Sequence, residues 1–196
     1  MLENFRKIVL LAVTCFAIAG YAAPAAGSKS DLVSAMSAVT AHKVTSGNFK
    51  QVKTIKKLNR DFVSTGTFTI TNGQGILWNV EKPFPSRLTI SGEKMVQESA
   101  NGKKTEMAAK DNAVFAEFSR TIQAVFSGDV IELEKNFIVS FKKSGNSYVV
   151  NLAPLEATVR SVVVNMVLEV SQEFDKVTLI DAEGNTTVYE FSNHSH

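Results

Sequence analysis

The residues that could do chemistry in this sequence are few. Its 196 residues include three histidines and one cysteine. His42 is predicted near the end of a helix, and no carboxylate is spaced to complete a catalytic triad with it. His194 and His196 could contact a metal ion weakly, but the pair is more typical of a solvated tail. We therefore predict no enzyme activity, no catalytic residue, no metal site and no cofactor.

The acidic and glycine-containing motifs also favour structure over chemistry. Asp129, Glu132 and Glu134 could form an acid–base pair, yet they alternate with apolar residues as on the solvated face of a strand. Gly73 and Gly75 predict a hairpin turn, because they do not lie between a strand and a helix as a phosphate-binding loop does. The net charge is only +2, which argues against a nucleic-acid partner.

The start of the chain has the three-part pattern of a secretory signal peptide. Arg6 and Lys7 form a basic start, residues 8–18 are mostly apolar, and small residues follow. A retained anchor is the alternative, but the apolar run is shorter than the roughly 20 residues that span a bilayer. We predict that residues 1–23 are cleaved and that the protein is periplasmic. Residues 24–196 then form a single domain without cysteine, so no disulfide stabilises it.

Two kinds of hydrophobic periodicity indicate the elements that position the remaining residues. Helical spacing predicts a first helix with Leu32, Met36 and Val39 on one face, capped by Asp31, and a second helix over residues 111–126. Elsewhere apolar residues alternate with polar ones between turn signals, which predicts serial antiparallel strands. The predicted fold class is mainly β: an incomplete antiparallel barrel, or curled sheet, with helices on its apolar face.

The second predicted helix carries four large apolar residues, Phe115, Phe118, Ile122 and Phe126. One interpretation is that these side chains fill an ordinary core. The other is that the helix is the lid of an apolar cavity, because barrels and half-barrels can hold a ligand. The spacing of the apolar residues is compatible with both interpretations.

Four short motifs follow one another along the chain. Residues 49–51 are Phe-Lys-Gln, residues 73–78 are Gly-Gln-Gly-Ile-Leu-Trp, and Lys82-Pro83 follows. Residues 88–94 join an apolar strand to a Gly-Glu-Lys turn, and residues 141–154 form a hairpin pattern that ends in Leu-Ala-Pro. In type and order these motifs resemble the LolA family, whose members are periplasmic carriers of outer-membrane lipoproteins.

The resemblance implies a helical lid over an apolar cavity that encloses the acyl chains of a lipoprotein. It implies an inner-membrane transporter as donor and an outer-membrane acceptor, and we expect a monomer. The family's lid latch corresponds to Lys82, with Arg87 as the rival candidate because a lysine cannot make a forked contact. The residues that we predict to line the cavity are Phe62, Phe68, Ile70, Ile76, Trp78, Leu88, Ile90, Phe115, Phe118, Ile122, Phe126, Val164, Met166 and Leu168.

The hydrophobic effect explains why such a cargo needs a carrier. Each buried methylene contributes about 0.8 kcal/mol, so exposing a 16-carbon chain to water costs roughly 12 kcal/mol. The cargo could instead be another lipid or a glycolipid, and a lipoprotein-sensing regulatory domain on the same fold is a further hypothesis. A lipid hydrolase would need a serine or a carboxylate near His42.

Overall fold

The structure, a computed structural model, describes residues 28–111 and 113–196. For residues 113–115, 117 and 118 it describes the backbone alone. The predicted signal peptide, residues 1–23, lies outside the described residues. None of the described helices combines the length and the apolar character that a membrane span requires.

Strands account for most of the described chain, and four α-helices accompany them. The helices are α1 (Lys29–Val39), α2 (Ala113–Ser127), α3 (Val130–Asn136) and α4 (Ala157–Arg160). The strands are β1 (Val44–Ile55), β2 (Arg60–Thr71), β3 (Gly75–Lys82), β4 (Ser86–Ser91), β5 (Lys94–Ser99), β6 (Lys104–Ala108), β7 (Phe137–Ser144), β8 (Ser147–Pro154), β9 (Val163–Val170), β10 (Phe174–Asp181) and β11 (Thr186–Ser195).

All eleven described strands form one antiparallel sheet, in the order β6-β5-β4-β3-β2-β1-β11-β10-β9-β8-β7. The central strand β1 pairs with its neighbour β2 on one side and with the last strand, β11, on the other. Strands β6 and β7 lie at the two edges, and these two described strands do not pair with each other. The sheet is therefore not closed, and the predicted mainly β fold with an incomplete barrel is confirmed.

Glycine and proline divide the first half of the sheet where the sequence predicts. Gly73 in the β2–β3 turn has a φ of 71°, a conformation that glycine adopts without steric cost. Pro83 and Pro85 lie between β3 and β4, because proline has no N–H to donate to a neighbouring strand. The predicted hairpin turn around Gly73 and Gly75 is confirmed.

Helix α1 begins with a capping box. The Ser28 hydroxyl accepts a hydrogen bond from the backbone N–H of Asp31, and the Asp31 carboxylate accepts one from the backbone N–H of Ser28. The cap is thus Ser28, and the predicted cap, Asp31, is its partner within the first turn. The predicted apolar face is confirmed, since Leu32, Met36 and Val39 are all buried.

A short helix occupies a segment that the sequence analysis interprets as a strand. The Asp129 carboxylate accepts hydrogen bonds from two backbone N–H groups in the first turn of α3 and caps it. The buried residues Val130 and Leu133 are three positions apart, which is a helical spacing. The prediction that Asp129, Glu132 and Glu134 lie on the solvated face of a strand is therefore wrong.

The hydrophobic core is concentrated under the half of the sheet formed by β7–β10. Its buried side chains are Leu32, Met36, Val39, Ala124, Val125, Val130, Leu133, Phe137, Tyr148, Val150, Leu152, Met166, Leu168, Val170, Phe174 and Val177. In the described strands β1–β6, the large apolar side chains buried to the same degree are Phe49, Phe68 and Ile90. One half of the sheet is thus solidly packed, and the other half is thinly covered.

Candidate functional site

A space of about 150 Å³, here named the apolar cavity, lies between the thinly covered half of the sheet and the packed half. Strands β3 and β4 form one wall, strands β9, β10 and β11 form the other, and helix α2 lies between them. The cavity is lined by Ile76, Trp78, Leu88, Ile90, Ile122, Val125, Phe126, Met166, Val177, Leu179, Tyr189 and Phe191.

The two walls of the apolar cavity belong to distant strands. Strands β4 and β9 are six strand spacings apart in the sheet order, which is about 29 Å in a flat sheet. Leu88 on β4 and Met166 on β9 nevertheless line the same small space. The sheet must therefore be strongly curled, with its apolar face inward.

An aromatic cluster connects the two walls. Its members come from four adjacent strands, and they are Phe49, Phe68, Trp78, Tyr189 and Phe191. The Trp78 ring stacks on Phe49 at 4.1 Å between centroids and meets the edge of Tyr189 at 5.2 Å. Stacked and edge-on contacts are the favoured aromatic geometries. Burial raises the pKa of the Tyr189 phenol above its ordinary value.

Two glycines make room for the aromatic cluster. Gly66 lies directly opposite Phe49, and Gly47 lies directly opposite Phe68, in the β1–β2 pair. A Cβ atom at Gly66 would lie 2.9 Å from the Phe49 ring, and one at Gly47 would lie 2.9 Å from the Phe68 ring. Because neither glycine has a side chain, each ring can lie across the neighbouring strand.

Helix α2 covers the apolar cavity with Ile122, Val125 and Phe126, whose spacing places them on one helix face. Phe126 also lines two other spaces. The larger, of about 310 Å³, is here named the polar recess and contains Arg120, Gln123 and Glu132 among its walls. The smaller holds about 20 Å³ near the end of α1. The Phe126 side chain thus separates three neighbouring spaces.

The apolar cavity is smaller than a typical ligand pocket, which measures about 300–1,000 Å³. A whole acyl chain therefore fits only if the cavity enlarges, for instance by movement of α2 away from the sheet or rotation of the Phe126 side chain. Ile76 and Phe126 line both the apolar cavity and the polar recess, so the two spaces adjoin. An amphiphile with its tail in the cavity could place a polar head in the recess.

Helix α2 is held to the sheet at the β4–β5 turn. The Ser119 hydroxyl donates a hydrogen bond to the Gly92 carbonyl oxygen at 3.0 Å, and the Gln123 amide donates to the same oxygen at 3.2 Å. Ser119 is buried, and its oxygen also accepts a hydrogen bond from the Gln123 amide at 3.2 Å. These contacts, here named the Gly92 latch, fix one side of the helix over the cavity.

Weakening the Gly92 latch is expected to accelerate exchange of a bound chain. In the double variant Ser119→Ala/Gln123→Met both donors are lost, at about 1 kcal/mol for each hydrogen bond, so α2 opens roughly 10- to 30-fold more often. Stopped-flow transfer of a fluorescent fatty acid from the protein to vesicles measures the rate. Gln97→Met, at an exposed position on β5, is the matched control. An unchanged transfer rate in the double variant would contradict a latch role.

Half of the residues predicted to line a cavity meet at the apolar cavity. These are Ile76, Trp78, Leu88, Ile90, Ile122, Phe126 and Met166. Phe68 and Ile70 line the smaller space beside it, on the other side of Phe126. The side chains of Phe115 and Phe118 lie outside the described residues.

Three predicted lining residues lie elsewhere. Leu168 is completely buried in the packed core. Phe62 is 48% exposed, because it lies six residues before Phe68 on β2, about 20 Å along the strand and beyond the residues that pair with β3. Val164 is 39% exposed on β9.

A β-bulge explains the orientation of Val164. Asn165 pairs with Ile180, whereas Asp181, one residue further along β10, pairs with Val163. Val164 is therefore an extra residue, and the bulge reverses the alternation of side chains at this end of β9. Val163 is buried in its place.

The two latch candidates taken from the family resemblance are both exposed. Lys82 is the last residue of β3, and Arg87 lies on β4. Neither makes a hydrogen bond or an ion pair to another described residue that would hold α2. In the described part of the chain, Ser119 and Gln123 make the contacts that tie the helix to a sheet turn. A latch role for Lys82 or Arg87 remains a prediction.

Five lining residues are not among those predicted from the sequence: Val125, Val177, Leu179, Tyr189 and Phe191. All five belong to apolar or aromatic positions of predicted elements, and Tyr189 and Phe191 alternate along β11. The two-residue period of apolar residues in β11 indicates that Tyr189 and Phe191 share one face of the sheet. It does not indicate which strand β11 pairs with, and the pairing with β1 is what brings the two rings beside Trp78.

The fold and the site together define a class of protein. A curled, open antiparallel sheet covers a small apolar cavity, a helix closes the cavity, and a polar recess adjoins it. This architecture suits reversible binding of an apolar chain, because it offers buried apolar surface under an element held by few polar contacts.

The sequence matches the family described as outer membrane lipoprotein carrier protein LolA over residues 40–196. The chain therefore belongs to the LolA family, and its predicted membership is confirmed. Proteins of this family are periplasmic carriers and not enzymes. Among curated proteins, none matches this sequence.

Solved structures with a similar fold differ strongly in sequence. A LolA superfamily protein from Nitrosomonas europaea is 7% identical, with a TM-score of 0.48 over 87% of this chain and 94% of the other. A putative outer membrane lipoprotein-sorting protein domain from Vibrio parahaemolyticus is 9% identical, with a TM-score of 0.44 over 84% and 90%. MucB, which a second structure shows with MucA of Pseudomonas aeruginosa, is 12% identical, with a TM-score of 0.42 over 87% and 60%.

Proposed function

We propose that this protein carries acylated lipoproteins across the periplasm and shields their acyl chains in the apolar cavity. The carrier takes its cargo from an inner-membrane transporter and delivers it to an outer-membrane acceptor. Membership of the LolA family supports the proposal. The observation that carries it is the unfilled apolar cavity beneath α2, which lies where the densely packed half of the sheet meets the thinly covered half.

A carrier must bind its cargo reversibly, and the contacts around the cavity meet this requirement. The lining is almost entirely aliphatic and aromatic, so it replaces the membrane interior as an apolar environment for a chain. The Gly92 latch consists of neutral hydrogen bonds, each contributing about 1 kcal/mol. Breaking the latch therefore costs little compared with the roughly 12 kcal/mol of an exposed 16-carbon chain. Lifting α2 would also expose Ala124 and Val125, which are buried in the packed core.

The polar recess supports an amphiphilic cargo. Arg120 and Glu132 line it, and it adjoins the apolar cavity at Ile76 and Phe126. A lipoprotein has its acyl chains next to a polar, peptide-bearing head, and a chain in the cavity would place that head in or near the recess. In this proposal residues 1–23 are removed on export, and residues 24–196 act as a single, monomeric carrier domain.

Mass spectrometry of lipids extracted from protein purified out of the periplasm tests the proposal. We expect acylated lipopeptides or whole lipoproteins in amounts near one per protein. The Ile122→Glu variant, purified identically, serves as the empty control. Recovery of a free lipid or glycolipid alone would replace the proposed cargo, and recovery of no acyl compound beyond the control would contradict the carrier function.

A further inference from the structure

The three histidines of the chain meet at one end of the fold, although the sequence separates them by up to 154 positions. His42 lies between α1 and β1, and its ring stacks on the His196 ring at 3.5 Å between centroids. His196 Nε2 lies 2.8 Å from the Glu173 carboxylate in the β9–β10 turn. His194 lines the small space near the end of α1 together with His42 and Glu173, and we name this space the histidine recess.

A bulge in β11 turns His194 to the same face as Phe191. Ser46 pairs with Ser195 and Asn48 pairs with Ser192, so β11 has one more residue than β1 between these pairs. Asn193 has a φ of 53°, in the left-handed region that asparagine tolerates better than most residues. Without the extra residue, His194 would lie on the opposite face from Phe191, whereas both line the histidine recess.

The donor atoms are close enough to share one ion. The nitrogen and oxygen donors of His42, Glu173 and His196 all lie within 4.8 Å of one another. Two donors on a tetrahedral zinc ion lie about 3.3 Å apart, given bonds of about 2.0–2.1 Å. To aim both imidazole nitrogens at one ion, the stacked His42 and His196 rings must turn out of their parallel arrangement. The side chains of His196 and Glu173 are 31% and 22% exposed to solvent.

A buried nitrogen beside the cluster supports a bound ion. His194 Nε2 is buried and has no hydrogen-bond partner among the described residues. An unpartnered buried polar atom is costly, which makes a missing water or ion a physical explanation for it. The histidine recess holds about 20 Å³, which is enough for one water molecule or one small ion.

Although the sequence alone predicts no metal site, we propose that His42, Glu173 and His196 bind one divalent transition-metal ion, with zinc as the best match, and that a water bound to the ion contacts His194. Two imidazoles and one carboxylate are a donor set that zinc favours, whereas magnesium prefers oxygen donors alone. The ion joins the α1–β1 connection, the β9–β10 turn and the end of β11. This site is independent of the proposed cargo.

Calorimetric titration of purified protein with zinc chloride tests the site, using a purification tag without histidines and prior treatment with EDTA. We expect one zinc per protein. At a free zinc concentration 100 times the dissociation constant, the melting temperature should rise by about 5–10 °C. Magnesium chloride should produce neither effect. Absence of zinc binding in large excess, or an equal effect of magnesium, would overturn the proposal.

Substitutions then identify the donors. His42→Gln and Glu173→Gln should each weaken zinc binding at least tenfold, and His42→Gln/His196→Gln should abolish it. Glu93→Gln, at an exposed glutamate in the β4–β5 turn, is the matched control and should bind zinc like the wild type. His42 is exposed, so its substitution should leave the melting temperature in EDTA unchanged. Wild-type zinc affinity in the double variant would refute these donors.

Discussion

The Ile122→Glu variant is expected to lose binding of acyl chains by at least 100-fold. Ile122 lies on the face of α2 that covers the apolar cavity. A glutamate there would place a carboxylate among aliphatic and aromatic side chains, and an unpaired charge in such surroundings costs several kcal/mol. The variant avoids this cost by holding its side chain in water, which displaces α2 or hydrates the cavity. Fluorescence titration with a dye-labelled fatty acid measures the loss.

Ile131→Glu is the matched control for this experiment. Ile131 lies on the neighbouring helix α3 and is 67% exposed, so a glutamate at that position remains in water. We expect wild-type affinity for this control and wild-type circular dichroism for both variants, because Ile122 is not a member of the packed core. Equal affinities of the two glutamate variants would show that the cavity beneath α2 is not the binding site.

Leu168→Ala and Leu88→Ala are expected to have opposite consequences for stability and binding. Leu168 is completely buried in the packed half of the sheet, so its truncation should lower the free energy of unfolding by about 2–5 kcal/mol. Leu88 is half-buried and already borders an empty space, so its truncation should cost about 1 kcal/mol or less. Urea denaturation at a constant m-value measures both losses.

Binding should reverse the order of these two variants. Leu88→Ala enlarges the apolar cavity and removes a wall contact, so its affinity for a dye-labelled fatty acid should differ several-fold from that of the wild type. Leu168→Ala should retain wild-type affinity as long as it is folded. Leu58→Ala, at a position that is 64% exposed, is the control for both measurements. If Leu88→Ala and Leu168→Ala destabilised the protein equally, the two halves of the sheet would be equally packed and the cavity would have no functional meaning.

The sequence predicts those parts of the fold that depend on local periodicity. The strands around Gly73 and Gly75 and the apolar face of α1 follow from alternation, helical spacing and turn residues, and the structure confirms them. The segment after Asp129 is too short for hydrophobic periodicity to distinguish a helix from a strand. Asp129 caps it, and the segment is a helix. Val164 shows the limit of strand alternation, since a bulge that depends on pairing with β10 reverses its face.

The site is harder to predict than the fold because its parts come from distant regions of the chain. Trp78 meets Tyr189 only because β11 pairs with β1, and this pairing leaves no local signal in either strand. Phe62 has the same parity as Phe68 but lies past the end of the covered region, which depends on where α2 crosses the sheet. His42 and His196 likewise become neighbours only when the sheet is assembled.

Because the edge strands β6 and β7 do not pair with each other, the space inside the curled sheet is not fixed in size. The circumference of a closed barrel is fixed by its number of strands and their stagger, because every strand is bonded on both sides. Here the two rims are free of each other, so the sheet can unroll slightly or tighten without breaking one hydrogen bond between neighbouring strands. The interior can therefore widen or narrow while every pair of neighbouring strands stays bonded.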